Sequence, residues 1–226
     1  MAAISFLHAD FMRDFKKGEE FFGTRQTDLP TFTQGSLPQP KTRVKIIQAD
    51  ESGFSFSVVQ EGTTKNDTIR AYYPQLEEPI AYVEQWQPIV KFPGVYHKHT
   101  KEAALFCAAE NRDLFLRRIA QCDMSLRPKP FDLQKLKDNQ DFANIWGIWS
   151  EGDGGRISRK AIFGRNLGRS SEVETEEMTA LDVEFEKPDG TNISLVISRD
   201  GRIFAMGKIS NEDLYKIYEK IKPNLY

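Results

Sequence analysis

Two neighbouring runs near the C terminus alternate apolar and polar residues without a break, and they restrict the fold more tightly than any other feature of the chain. TALDVEFEK sets Leu181, Val183 and Phe185 at every second position, and TNISLVIS does the same with Ile193, Leu195 and Ile197. A period of two belongs to a strand, with successive side chains on opposite faces. KPDG between the runs is a turn, RDG after them is a tighter one, and RIFAMGK supplies a third strand. Ser210 then caps NEDLYKIYEKIK, with Glu212 and Asp213 in the first turn, where the helix dipole favours them. Leu214, Ile217, Tyr218 and Ile221 form its apolar stripe. The segment reads as a β-β-β-α unit whose core joins Leu181, Val183, Phe185, Ile193, Leu195 and Ile197 to Leu214 and Ile217. On the opposite side, Asp182, Glu184 and Glu186 are expected to point outward.

Upstream, FDLQKLKDNQDF reads as a short helix, and NIWGIWSE with GRISRKAIFG reads as a hairpin. The two prolines of SLRPKP mark a boundary. Before it, Thr100 is a good N-cap for a helix through KEAALFCAAENRDLFLRRIAQCDM. RVKIIQA, FSFSVVQE and TIRAYY form a three-stranded meander. Pro79, Pro88 and Pro93 cut residues 76 to 96 into short pieces, of which IAYVEQW is a helical candidate. At the N terminus, Ile4, Leu7, Phe11 and Phe15 fall three or four apart and predict an amphipathic helix over residues 4 to 17. An extended arm follows, with Pro30, Pro38 and Pro40 excluding regular ladders and Phe21, Phe22, Leu29, Phe32 and Leu37 available to pin it.

The expected fold class is therefore α+β: an antiparallel β-meander packed with helices in each half, a C-terminal β-β-β-α unit and an extended N-terminal arm. The expected domains are an N-terminal helix and arm over 1–42, a meander with helices over 43–126, and an α+β domain over 130–226.

Hydrophobic residues make up 39% and charged residues 28%, so the chain is globular and not disordered in composition. A formal charge of −2 is unlike that of a dedicated nucleic-acid binder, so such a role has to rest on a local patch. Two cysteines, Cys107 and Cys122, make no disulfide framework and read as reduced core thiols. MAAISFLHADFMRDFKK is interrupted by charges and is not a secretory signal. The chain lacks an apolar run of roughly 18 residues, the length needed to span a bilayer. The expected setting is cytoplasmic, with no membrane partner.

The most unusual local feature is GGRISRKAIFGRNLGR, which holds Arg156, Arg159, Lys160, Arg165 and Arg169 without an acidic residue. Guanidinium forks grip phosphate or carboxylate, glycines let a backbone approach closely, and the preceding Trp146 and Trp149 suit base stacking. The blander reading is a solvated edge strand whose charges block unwanted pairing, with both tryptophans in the core. The glycines match neither a phosphate loop nor a dinucleotide fingerprint. The acidic EVETEE that follows reads as a solvated loop.

His97 and His99 would share a face on a strand, but no further ligand cluster closes a metal site, and neither a metal nor another cofactor is implied. The row of Asp182, Glu184 and Glu186 lacks a lysine on its own face, because Lys187 alternates to the other. These patterns favour a non-catalytic binding protein. It engages a protein or nucleic-acid partner, a second copy included, through the basic Gly/Arg segment and through Leu7, Phe11, Phe15, Phe21 and Phe22 of the arm. The alternative is a hydrolytic enzyme, such as a metal-dependent nuclease, with a site built from dispersed residues.

Overall fold

The computed structural model describes residues 2–24, 40–62, 68–71, 80–83, 87–120, 122, 124–138, 145–151, 159–164, 167, 178–187 and 190–226. Its elements, in chain order, are β1 (Ala3–Met12), β2 (Glu20–Thr24), β3 (Lys41–Asp50), β4 (Gly53–Gly62), β5 (Thr68–Ala71), β6 (Ile80–Val83), β7 (Gln87–His97), β8 (Glu102–Leu105), α1 (Ala109–Ile119), β9 (Met124–Pro128), α2 (Leu133–Asp138), β10 (Ile145–Glu151), β11 (Arg159–Phe163), β12 (Met178–Glu186), β13 (Asn192–Ser198), β14 (Arg202–Ala205) and α3 (Asn211–Ile221). Twelve strands belong to one mostly antiparallel sheet, and helices are few. The expected helix-packed α+β meander is thereby overturned. The chain divides into two compact units. Unit 1 is Met1–His8, Ala104–Ala109 and Pro128–Tyr226, and unit 2 is Ala9–Ala103 and Glu110–Arg127.

Unit 1 runs in the strand order β11-β10-β12-β13-β14-β1. The alternating runs form β12 and β13, and the register sets one apolar row straight across the unit: Ile162, Ile148, Leu181, Ile197, Ile203 and Ile4. All but Ile162 are buried. In α3, Leu214, Ile217, Tyr218 and Ile221 are buried. Ser210 caps that helix as expected, its Oγ accepting from the Asp213 N–H at 3.0 Å. Phe6 stacks on Tyr218 with ring centroids 3.7 Å apart. Gly201 sits at φ +82, and a Cβ there would meet the Lys129 carbonyl oxygen at 2.1 Å, so the β13–β14 turn requires glycine.

Unit 2 carries the order β8-β7-β4-β3-β2. Val44, Ile46, Phe56, Val58 and Phe92 are buried on one face, and Phe92 meets Phe115 of α1 edge-on at 6.3 Å. Arg118, buried in α1, donates from Nη1 to the Glu61 carbonyl at 2.8 Å, with longer contacts of 3.4 Å to the Lys41 carbonyl and Thr42 Oγ1. The side chain thus ties α1 to the start of β3 and the end of β4, and burial pushes the guanidinium pKa down.

Several local expectations change for definite reasons. Residues 4 to 17 are not a helix. Ile4, Ser5, Phe6 and Leu7 are buried in succession in β1, which suits a strand covered on both faces and not a one-sided helical stripe. The long helix expected from residue 101 becomes β8, four consecutive buried residues, followed by the shorter α1. Thr100 lies in a turn with Lys101 at φ 52 instead of capping a helix. The third strand of the expected meander, β5, pairs with β6, so residues 80–83, the described part of IAYVEQW, form a strand and not a helix. The partner of β4 is β7, which accommodates Pro88 and Pro93. Among the described residues, no helix is long and apolar enough to cross a membrane.

Candidate functional site

The site grows from the second face of the unit 1 sheet. One residue over from the apolar row, the register aligns Phe163, Gly147, Asp182, Val196, Phe204 and Ala3. Asp182 is the one charged residue in that line. It was expected to point outward into water, yet it is buried to 3% exposure. Leu181 and Val183 are buried as expected, whereas Phe185, expected with them, is only half-buried. At this position the opposite face of β12 is covered, not open to solvent.

Two features of β10 bury the carboxyl group. Gly147 directly opposes Asp182 and carries no side chain. A Cβ at 147 would lie 2.4 Å from Asp182 Oδ2, so the carboxyl fills the space the glycine leaves. Trp149, two residues along on the same face, donates its indole N–H to Asp182 Oδ2 at 3.1 Å. The other oxygen, Oδ1, is buried without a hydrogen-bond partner. Burial pushes the Asp182 pKa up, and the Trp149 hydrogen bond offsets part of that shift.

A register shift between Ile145 and Gly147 inserts Trp146 as an extra residue in β10. Bulges re-aim side chains, and here both tryptophans meet the same ring. Trp146 and Phe163 have centroids 5.7 Å apart at 30°, and Trp149 meets Phe163 edge-on at 5.6 Å. Phe163 is 55% exposed, while Trp146 and Trp149 are half-buried. The result is an aromatic cluster next to a shielded carboxyl group, on strands at one end of the unit 1 order.

Arg159 and Lys160 open β11, paired with Glu151 and Ser150. Glu151 in turn accepts from Arg199 Nη2 at 3.0 Å. Arg156, Arg165 and Arg169, like the EVETEE loop, lie outside the described residues. Of the arm residues, Leu7 is fully buried in β1, and Phe15 is buried in unit 2, stacked on Phe21 at 5.0 Å and edge-on to Phe54 at 5.3 Å. Phe21 is half-buried, while Phe11 and Phe22 are 57% and 56% exposed. Leu29, Phe32 and Leu37 lie outside the described residues. His97 ends β7, and His99 is exposed in the following turn, so the two do not share a strand face. Among the described residues, no group of three His, Cys, Asp or Glu side chains is placed to hold a metal ion.

The feature missed from sequence is the Asp182–Gly147–Trp149 arrangement. Its signal was W-G-I-W, a glycine between two large rings on a strand facing an acidic alternating run. No protein-family model matches the chain, and no curated protein is similar enough to count as a match.

Proposed function

We propose that the protein is a non-catalytic binding protein that holds a single-stranded nucleic acid on the aromatic cluster of unit 1. The observation that carries this reading is the convergence of Trp146, Trp149 and Phe163 on one sheet face, with Phe163 presented to solvent. Aromatic side chains on a sheet face stack unpaired bases at about 1–3 kcal/mol per base. The basic stretch from Arg156 to Arg169, of which Arg159 and Lys160 open the adjoining β11, supplies counter-charge for phosphates. A local patch of this kind is compatible with the formal charge of −2. A cytoplasmic setting belongs to the proposal and is supported by two unbridged thiols, Cys107 and Cys122.

A protein partner is the second reading, supported by the exposure of Phe11 and Phe22. Fluorescence anisotropy with a labelled oligonucleotide separates the two. Under the proposal, the wild type binds at low salt, and Phe163→Ala weakens binding by roughly 5- to 150-fold, the equivalent of one lost stack. Arg159→Glu with Lys160→Glu weakens it further. Absence of binding by the wild type removes the nucleic-acid reading, and cleavage of the oligonucleotide removes the non-catalytic one.

A further inference from the structure

A second charged surface lies in unit 2, on residues that the basic stretch of unit 1 does not include. Strand β3 reads Lys-Thr-Arg-Val-Lys-Ile from its first residue, and its burial alternates with the same period. Thr42, Val44 and Ile46 are buried on the α1 side of the sheet, while Lys41, Arg43 and Lys45 are exposed on the other side. The register extends this pattern across the neighbouring strands. Phe22 of β2 opposes Arg43, Arg43 opposes Val59 of β4, and Val59 opposes Lys91 of β7. One row therefore runs from an exposed ring through a guanidinium and a valine to an exposed ammonium.

The carboxylates near this surface are already engaged. Glu20 pairs with Lys45 at 3.1 Å, and Glu61 Oε2 accepts the Lys41 backbone N–H at 2.9 Å. Among the described residues, the side chains of Lys41, Arg43 and Lys91 enter no ion pair. In a chain whose formal charge is −2, this face carries four cations and two carboxylates, with Lys45 paired to Glu20 and Lys41, Arg43 and Lys91 left to meet an anion.

Spacing and shape indicate the partner. Alternate residues of a strand lie about 6.8 Å apart, and Arg43 and Lys91, two strands apart, are separated by about 10 Å. Lys41, Arg43 and Lys45 thus run along β3 in steps of about 6.8 Å suited to successive phosphates of an extended strand, with Lys91 set about 10 Å to one side of Arg43. Phe22, beside Arg43 and 56% exposed, offers a ring face to an unpaired base. Phosphate contacts plus a stacking ring form the combination by which single strands are held without sequence readout.

We propose that the face of Lys41, Arg43, Lys45, Lys91 and Phe22 binds single-stranded nucleic acid as a site separate from the aromatic cluster of unit 1. The test uses the full chain and a fluorescein-labelled oligothymidylate, read by anisotropy from about 50 to 200 mM salt. Arg43→Glu/Lys91→Glu is expected to weaken binding by at least about tenfold and to make the log–log salt slope shallower by about 1.4, the share of two phosphate contacts. Phe22→Ala is expected to weaken binding with little change in slope, and ultraviolet cross-linking is expected to mark the β2 peptide. Both changes are at exposed positions, so an unchanged melting temperature shows that the fold is intact. Binding unaltered by Arg43→Glu/Lys91→Glu overturns the proposal. So does wild-type binding to anionic phosphatidylserine vesicles but not to the oligonucleotide. The unit 1 reading fails separately, when Phe163→Ala and Arg159→Glu/Lys160→Glu leave binding unchanged while Arg43→Glu/Lys91→Glu abolishes it.

Discussion

Trp149 Nε1 donates to Asp182 Oδ2 at 3.1 Å, and Gly147, two residues before Trp149 on β10 and directly opposite Asp182, leaves the space the carboxyl fills. One backbone choice thereby sets both the burial of an acid and the position of a ring. Asp182 Oδ1 remains unpartnered, and burial raises the pKa of the group. A carboxyl group whose folded pKa exceeds its unfolded one binds more protons in the folded state between the two values. Stability contributed by this group therefore rises as pH falls through the folded pKa, and its ionisation opposes folding at neutral pH.

Asp182→Asn keeps an oxygen acceptor for Trp149 and removes that ionisation. The variant is expected to melt at or above the wild-type temperature at pH 7, with the difference shrinking as the pH is lowered and the wild-type carboxyl becomes protonated. Thermal melts across this range check it. A loss of stability at pH 7 that shrinks as the pH is lowered would show that the ionised carboxylate is held by contacts that favour it.

Leu195→Ala removes a fully buried side chain from the centre of β13. It is expected to cost about 2–5 kcal/mol, measured by chemical denaturation, with the spread set by how far the site collapses.

Gly201→Ala combines a positive φ with a Cβ 2.1 Å from the Lys129 carbonyl oxygen. The left-handed conformation alone costs roughly 1–2 kcal/mol for a residue with a Cβ. The clash adds to this, because the atom met is backbone and cannot swing aside. A loss smaller than about 1 kcal/mol on denaturation contradicts the turn as described.

Arg118→Met keeps the aliphatic bulk of a buried side chain and deletes the donor that reaches the Glu61 carbonyl. The expected cost is about 1–3 kcal/mol, from acceptors left dry. Hydrogen exchange should accelerate first at the start of β3 and the end of β4, near Thr42 and Gln60. Uniform acceleration across unit 2 would argue against this local role.

Strands whose apolar residues alternate were legible in the sequence. The alternation of Leu181, Val183 and Phe185 predicts β12, Ile193 to Ile197 predicts β13, and the Ser210 cap predicts the start of α3. Strands covered on both faces were not. In β1 and β8 the apolar residues run consecutively, and short apolar runs fit a helical stripe as well as a strand. Pairing over distance was also hidden, because nothing in FSFSVVQE distinguishes β5 from β7 as its second partner. At the candidate site, the ring types and basic residues of residues 146 to 169 were visible. The burial of Asp182 was not, since it depends on Gly147 and a bulge that bring three strands into one register.

The central claim, that unit 1 stacks an unpaired nucleic-acid strand on its aromatic cluster, is tested most directly by tryptophan fluorescence. Two of the three tryptophans of the chain, Trp146 and Trp149, lie in that cluster. Titrating oligothymidylate at low salt is expected to quench their emission in a saturable way. The quench should weaken as salt is raised, by about 0.7 in log–log slope for each phosphate bound, and it should be lost in Phe163→Ala at the same oligonucleotide concentrations. Emission that stays unchanged at low salt while the oligonucleotide is in excess contradicts the claim.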